Sequence, residues 1–242
     1  MLYIFLMRIT KYYSPNFNVK TRSSKSITFV IIHYTGMQSE RESLKRLISP
    51  NSKVSCHYFI RRNGEILSLV NDKNIAWHAG KSSWGKYKNL NKNSIGIELA
   101  NKGHRYGYQA FTKSQIKKLI QLCKNLKKKY MIKNKFILGH SDVAPLRKID
   151  PGEKFPWDYM HSKGVGIYPG KIRGPKKSLK NVDIQIFLRN LYKIGYRYLK
   201  TKFRKKIIKN FQRKYRQKRI DGILDSETFK ISEILAKKSN IA

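Results

Sequence analysis

The sequence predicts an α/β protein: a mixed central β-sheet flanked by helices, followed by a small all-α three-helix domain. Three observations carry this. Short β-branched apolar runs alternate with amphipathic helical patterns up to about His140, a Gly/Pro-rich break lies at Gly164–Lys180, and only helical periodicity follows it. Interleaved strands and helices bury a sheet between helices, whereas three stripes of period 3.6 within 60 residues suffice only for a small bundle.

In chain order, Ile27-Thr-Phe-Val-Ile-Ile-His33 is an almost continuous apolar run, as a strand buried on both faces requires. Ser39 and Glu42 form a capping box ahead of Leu44, Leu47 and Ile48, which opens a short helix. Cys56–Arg61 and Glu65–Val70 pair as a hairpin through Arg62-Asn-Gly64, whose Asn-Gly step suits a tight turn. Ser94–Ala100 alternates, with Ile95, Ile97 and Leu99 on one face and Gly96, Glu98 and Ala100 on the other. Thr112 and Gln115 cap a long helix in which Ile116, Leu119, Ile120, Cys123, Leu126 and Tyr130 recur at helical spacing. Phe136–His140 is a last short strand. Beyond the break, Ile184, Phe187, Leu188 and Leu191 form one stripe closed by Gly195, and Phe203, Ile207, Phe211 and Tyr215 form a second. Asp225 or Ser226 caps a third helix carrying Phe229, Ile234 and Leu235. The expected division is an N-terminal extension over 1–26, a first domain over 27–170, a linker over 171–180 and the three-helix domain over 181–242.

Composition excludes several classes. The 242 residues carry 53 Lys+Arg against 14 Asp+Glu, a formal charge of +39, yet 40% are hydrophobic, so the chain is no disordered basic tail. The apolar run Met1–Met7 is far below the roughly 20 residues of a membrane span. It also lacks a preceding basic segment and a small-residue cleavage site, so it does not read as an export signal. Two cysteines, Cys56 and Cys123, make no disulfide framework and read as buried thiols. The charge matches the electrostatic footprint of a nucleic-acid binder, but no zinc-finger spacing or RNA-binding aromatic signature supports that class, and no specific nucleic-acid partner is expected.

The chemistry-bearing residues sit where open α/β sheets gather their sites, outside the carboxyl ends of strands. His33 closes one strand and His140 another, and the loop after His140 offers Asp142 and Asp150. Two imidazoles and either carboxylate make a zinc set with an open fourth position. His104 and His161 have no motif around them and read as surface residues.

Six stretches resemble a known family in its own order: Val30-Ile-Ile-His-Tyr-Thr35, Val54-Ser-Cys-His-Tyr58, Ala76-Trp-His-Ala-Gly80, Asn93-Ser-Ile-Gly-Ile-Glu-Leu-Ala-Asn101, Gly139-His-Ser-Asp-Val-Ala-Pro145, and Arg147-Lys-Ile-Asp-Pro-Gly152 with Phe155-Pro-Trp157. The family is that of the AmpD/AmiD-like zinc amidases of peptidoglycan, whose fold is shared by the animal peptidoglycan recognition proteins. The resemblance covers roughly residues 27–170. It implies Zn2+ held by His33, His140 and Asp150, with Asp142 as a loop residue, a catalytic pairing of Glu98 with Lys148, and a substrate cleft lined by His57, Trp77 and His78. It implies cleavage of the amide between N-acetylmuramic acid and L-alanine in peptidoglycan or muropeptides, in cell-wall turnover. Zinc in such a site lowers the pKa of its water toward about 7, Glu98 would accept that water's proton, and Lys148 would meet the developing oxyanion.

The second part, with Leu188-Arg-Asn-Leu-Tyr-Lys-Ile-Gly-Tyr196 and Asp221-Gly-Ile-Leu-Asp-Ser-Glu-Thr-Phe229, resembles the three-helix peptidoglycan-binding domain attached to wall hydrolases, which favours the cell envelope over the cytoplasm. It departs from that pattern at Arg197–Arg219, which holds 12 basic residues and no acidic one. Two other functions fit parts of the pattern: a recognition module on the same scaffold that binds wall without cutting it, and a nucleic-acid binder driven by charge.

Overall fold

The structure, a computed structural model, describes residues 8–170, 172, 179 and 181–241. The apolar run Met1–Met7 and nearly all of the expected linker 171–180 lie outside the described residues. In chain order the strands and α-helices are β1 (Ile9–Lys11), β2 (Phe17–Asn18), β3 (Phe29–Tyr34), α1 (Glu40–Ile48), β4 (Tyr58–Ile60), β5 (Ile66–Ser68), β6 (Ile75–Ala76), β7 (Ser83–Trp84), β8 (Tyr87–Lys88), β9 (Ser94–Leu99), α2 (Lys113–Tyr130), β10 (Ile137–Gly139), α3 (His140–Val143), α4 (Trp157–Ser162), α5 (Asn181–Ile194), α6 (Arg204–Tyr215) and α7 (Ser226–Ile241). The chain divides into two compact units, Met1–His78 with Asn91–Ile132, and Ala79–Leu90 with Lys133–Ala242. The fold class is the expected one, a mixed sheet flanked by helices with a helical C-terminal region. Among the described residues, no helix is long and apolar enough to cross a membrane.

In the first unit, strands lie in the order β1-β5-β4-β9-β3. β3 runs parallel to β9 and β9 parallel to β4, while β4 and β5 form the antiparallel hairpin expected around Asn63-Gly64. The segment expected as an N-terminal extension is built into this unit, since β1 adds parallel to β5 and β2 pairs with β6. Register decides what shares a face: His33 pairs with Glu98 and Ile31 with Gly96, so these four project to one side of the sheet. Phe59, in register with Glu98, lies on that side too, where it packs with Leu67, Leu69 and Ala100 against Leu44, Leu47 and Ile48 of α1.

Both predicted helix starts hold, with one difference. Ser39 Oγ accepts from Glu42 N (3.1 Å), but Glu40, not Glu42, turns its carboxylate to a backbone donor, taking the N–H of Arg62 (2.6 Å). At α2 the full capping box forms between Thr112 and Gln115, whose Nε2 also donates to the carbonyls of Ile60 and Ala100.

The second unit holds the three expected C-terminal helices. α5 ends at Gly195, whose φ of +132° lets the chain reverse while Trp84 occupies the space a Cβ would need. Phe187 and Phe211 meet edge to face at 5.3 Å, and Trp84 packs on Tyr196 at 4.7 Å. Of the two candidate caps for α7, Asp225 is the one used: its Oδ1 accepts from Thr228 N (2.9 Å) and its Oδ2 receives the buried Arg216 guanidinium at 2.6 Å. Removing one partner of such a buried pair costs about 3–5 kcal/mol, because the other charge is left without solvent.

Candidate active site

His33, at the carboxyl end of β3, is buried among apolar neighbours Val30, Ile31 and Ile32, and a strand with no polar side chain before it fixes the imidazole in position. Its Nε2 lies 3.0 Å from Nδ1 of His78, and His78 Nε2 lies 3.1 Å from Ser94 Oγ. The backbone N–H of His78 donates to Asn91 Oδ1 (3.2 Å), which holds the main chain that carries the ring. His78 therefore orients His33, and with 9% exposure it presents little surface to a ligand.

His78 also explains Gly96. Its ring packs directly on β9, so a Cβ at position 96 would fall 2.4 Å from His78 Cγ. Gly96→Ala is expected to destabilise the fold by about 1–3 kcal/mol, as overpacking does, and to displace the His78–His33 pair. Thermal unfolding and turnover measured together check this, and an unchanged melting temperature would refute it.

His140 departs from its expected place. It opens the one-turn α3 instead of closing a strand, because Asp142 Oδ2 accepts the Gly139 N–H (2.8 Å) and turns the chain immediately after β10. Its Nε2 donates to the Ala79 carbonyl (3.1 Å), which assigns the lone pair to Nδ1, 3.1 Å from Asp150 Oδ2. The Ser141 N–H returns to the Asp150 carbonyl (2.9 Å), closing the loop. His33, His140 and Asp150 are buried, each offers one ligand atom, and those atoms all lie within 4.8 Å of one another. The donor set fits a divalent metal such as zinc: arms of about 2.0–2.1 Å in a tetrahedron put neighbouring ligand atoms roughly 3.3 Å apart, close to the separation of His140 Nδ1 and Asp150 Oδ2.

The remaining expected residues divide. Glu98 is half-buried and shares its sheet face with His33, two residues from Gly96. Lys148 is half-buried, its carbonyl accepts from Asn210 Nδ2 (3.1 Å), and its ammonium has no hydrogen-bond or ion-pair partner among the described residues. Trp77 is partly exposed, and its indole Nε1 donates to Asn18 Oδ1 (2.6 Å). His57 has no exposed surface: Nδ1 accepts from Gly96 N (3.0 Å), Nε2 faces the Asn74 carbonyl (3.1 Å), and Arg22 Nη2 lies 2.9 Å away. Burial, then the Arg22 cation, pulls its pKa down to about 3. As a substrate contact it has no surface to offer: it is buried beside Gly96 of β9, edge-on to the His78 ring at 5.7 Å.

Several residues about the site were not singled out in the sequence. Arg147 donates to the carbonyls of Ala79 and Lys81, and its Nη2 lies 3.4 Å from His140 Nε2, so it clamps the loop to which His140 is bonded. Arg22 donates to the carbonyls of Asp72 and Asn91, and the Asp72 carboxylate receives Tyr58, Tyr130 and Lys129. Asp142 is no ligand in the grouped set. It is buried and receives Tyr196 OH at 2.6 Å and the buried Lys214 ammonium at 2.5 Å. Arg147 lies inside a stretch already noted. Lys214 falls seven residues after Ile207 and three after Phe211, on the apolar stripe, a spacing hidden by the lysines around it.

A mixed sheet flanked by helices, with a buried His/His/Asp set that includes His33 at the carboxyl end of β3, has the residue types of a hydrolase site on an amidase fold. The family model described as N-acetylmuramoyl-L-alanine amidase matches residues 23–153, and the chain belongs to that family. It is 34% identical over 232 residues to N-acetylmuramoyl-L-alanine amidase AmiD of Escherichia coli, covering 88% of this chain and 83% of that protein. The structure of that AmiD, in complex with anhydro-N-acetylmuramic acid-L-Ala-D-gamma-Glu-L-Lys, superposes with a TM-score of 0.79 at 32% identity, covering 88% of this chain and 90% of the other. AmpDh3 of Pseudomonas aeruginosa superposes with a TM-score of 0.76 at 28% identity, covering 93% and 96%.

Proposed function

We propose that this protein is a zinc-dependent N-acetylmuramoyl-L-alanine amidase that cleaves the amide between N-acetylmuramic acid and L-alanine in peptidoglycan or muropeptides, in cell-wall turnover. The observation that carries it is the buried grouping of His33, His140 and Asp150, with Glu98 in register beside His33. Bound there, zinc supplies a Lewis acid and lowers the pKa of its water toward about 7. Glu98 accepts the proton of the attacking water at its carboxylate and returns it to the leaving amine. Lys148, whose ammonium no described residue engages, offers a cation to the oxyanion that develops on the carbonyl oxygen. Trp77 offers an aromatic edge to the sugar–peptide substrate, and His78 acts through His33.

The test is product analysis. Purified protein with zinc should release free stem peptide from muropeptides, and release should stop with a chelator and in His140→Ala. No release with zinc present would reduce the protein to a recognition module; release that survives the chelator or His140→Ala would remove zinc from the mechanism.

Residues 27–170 form the catalytic domain in this reading, and the helices of 181–242 the wall-binding one. The basic stretch Arg197–Arg219 is of two kinds. Lys200, Lys202, Arg204, Lys205 and Lys206 are exposed, whereas Lys214 and Arg216 are buried in ion pairs. Replacing Arg204, Lys205 and Lys206 by glutamine is expected to weaken retention on sacculi in a salt-sensitive way and leave cleavage of soluble muropeptides unchanged. Equal losses in the two assays would overturn that division of labour.

A further inference from the structure

We infer that Lys214 is a positioning residue for the loop that carries His140 and Asp150, acting through Asp142, so that the C-terminal helices form part of the metal site's support as well as an appended module. The inference rests on the reading that His140 and Asp150 hold zinc. Lys214, on α6, has 3% of its surface exposed, and its ammonium meets Asp142 Oδ2 at 2.5 Å while lying 4.2 Å from the centre of the Trp157 ring. The same Oδ2 takes the Gly139 N–H (2.8 Å), the bond that turns the chain into His140. Tyr196, just past α5, donates to the other oxygen of Asp142 at 2.6 Å. Asn210, four residues before Lys214, donates to the carbonyls of Pro145 and Lys148 within the same loop. Three side chains from the helical region thus converge on one ten-residue loop, and each engages a group two to five residues from a metal-holding residue.

A wall-binding module needs none of these contacts. A lysine with its charge removed from water is stable only against a fixed partner, and here that partner sets the backbone turn at His140. Groups that orient metal ligands in this way change metal affinity when lost, even where the fold survives.

The experiment compares Lys214→Met with Arg216→Met. Arg216 is the other buried ion-paired base of the same helix end, bonded to Asp225 and Thr228 and making no bond to the loop. Zinc affinity is read on folded protein by competition with a fluorescent chelator, well below both unfolding midpoints. Lys214→Met is expected to bind zinc about 10- to 100-fold more weakly than the parent, and Arg216→Met within about twofold of it, although both lower the melting temperature. Parental affinity in Lys214→Met, or an equal loss in both variants, would overturn the inference. Should Lys214→Met not fold, Tyr196→Phe removes a single hydroxyl and is expected to weaken zinc binding about threefold or more, with unchanged affinity again overturning it. A parent that binds no zinc would instead overturn the proposed function on which the inference rests.

Discussion

Glu98→Gln is expected to lower turnover of muropeptides by about 10²- to 10⁴-fold, the range that loss of a general acid–base group produces, with zinc affinity and melting temperature close to the parental values. Glutamine keeps the shape of the side chain and its place on β9, in register with His33, so the sheet face is unaltered. What it loses is the ability to take a proton from water and hand it to the departing amine. The loss should appear in kcat more than in KM, because the proton is in flight only in the transition state. Turnover within about threefold of the parent would refute the assignment of Glu98 as the proton carrier.

The second large effect is on stability against acid. His57 is ordinary in the unfolded chain, near 6.5, and is pulled down to about 3 in the fold by burial and by Arg22. Between those values the unfolded chain binds a proton at position 57 and the folded chain does not, so acid favours unfolding. The contribution of neutral His57 is present in full above about pH 6.5 and declines as pH falls, by about 1.4 kcal/mol per unit, to roughly 3 kcal/mol lost by pH 4. Against a total stability of about 5–15 kcal/mol, that is a large share. Asp72 works in the same direction at lower pH. Burial raises its pKa, but bonds from Tyr130, Lys129 and Tyr58 outweigh that and hold it below its ordinary value, so its contribution is lost only as the carboxylate protonates. Urea unfolding of metal-free protein at pH 7 and pH 4 should show the loss, and His57→Gln, though less stable at pH 7, should lose about 3 kcal/mol less between the two. Identical pH dependence in the variant and its parent would show that His57 is not the group responsible.

Much of the architecture was legible because local rules agree with tertiary packing in this chain. Thr112 with Gln115, Asn63-Gly64 and the apolar run before His33 each specify one element, and each element forms where it is expected. Where the structure differs from the local pattern, longer-range bonds decide. His140 starts a helix because Asp142 reaches back to Gly139, and in the first turn of α1 it is Glu40 whose carboxylate meets a backbone donor, the N–H of Arg62, distant in sequence. His57 lay in a matching motif, yet alternation along a strand tells only which face a side chain joins, not what covers that face. Arg22 and Asn74, far away in sequence, make it a core residue.

By itself, the sequence determined the α/β class, the order of its elements and the residue types of a His/His/carboxylate site, since hydrophobic period and motif spacing are properties of the chain alone. Tertiary structure decided which carboxylate groups with the two imidazoles. Asp142 and Asp150 are equivalent on paper, but the fold surrounds Asp142 with the Lys214 ammonium and the Tyr196 hydroxyl, which occupy its oxygens, and leaves Asp150 facing Nδ1 of His140. It likewise divided one basic stretch into a solvated face and two buried ion pairs, because a lysine's role follows from the dielectric around it and from the partner it meets, and neither is written in its neighbours along the chain.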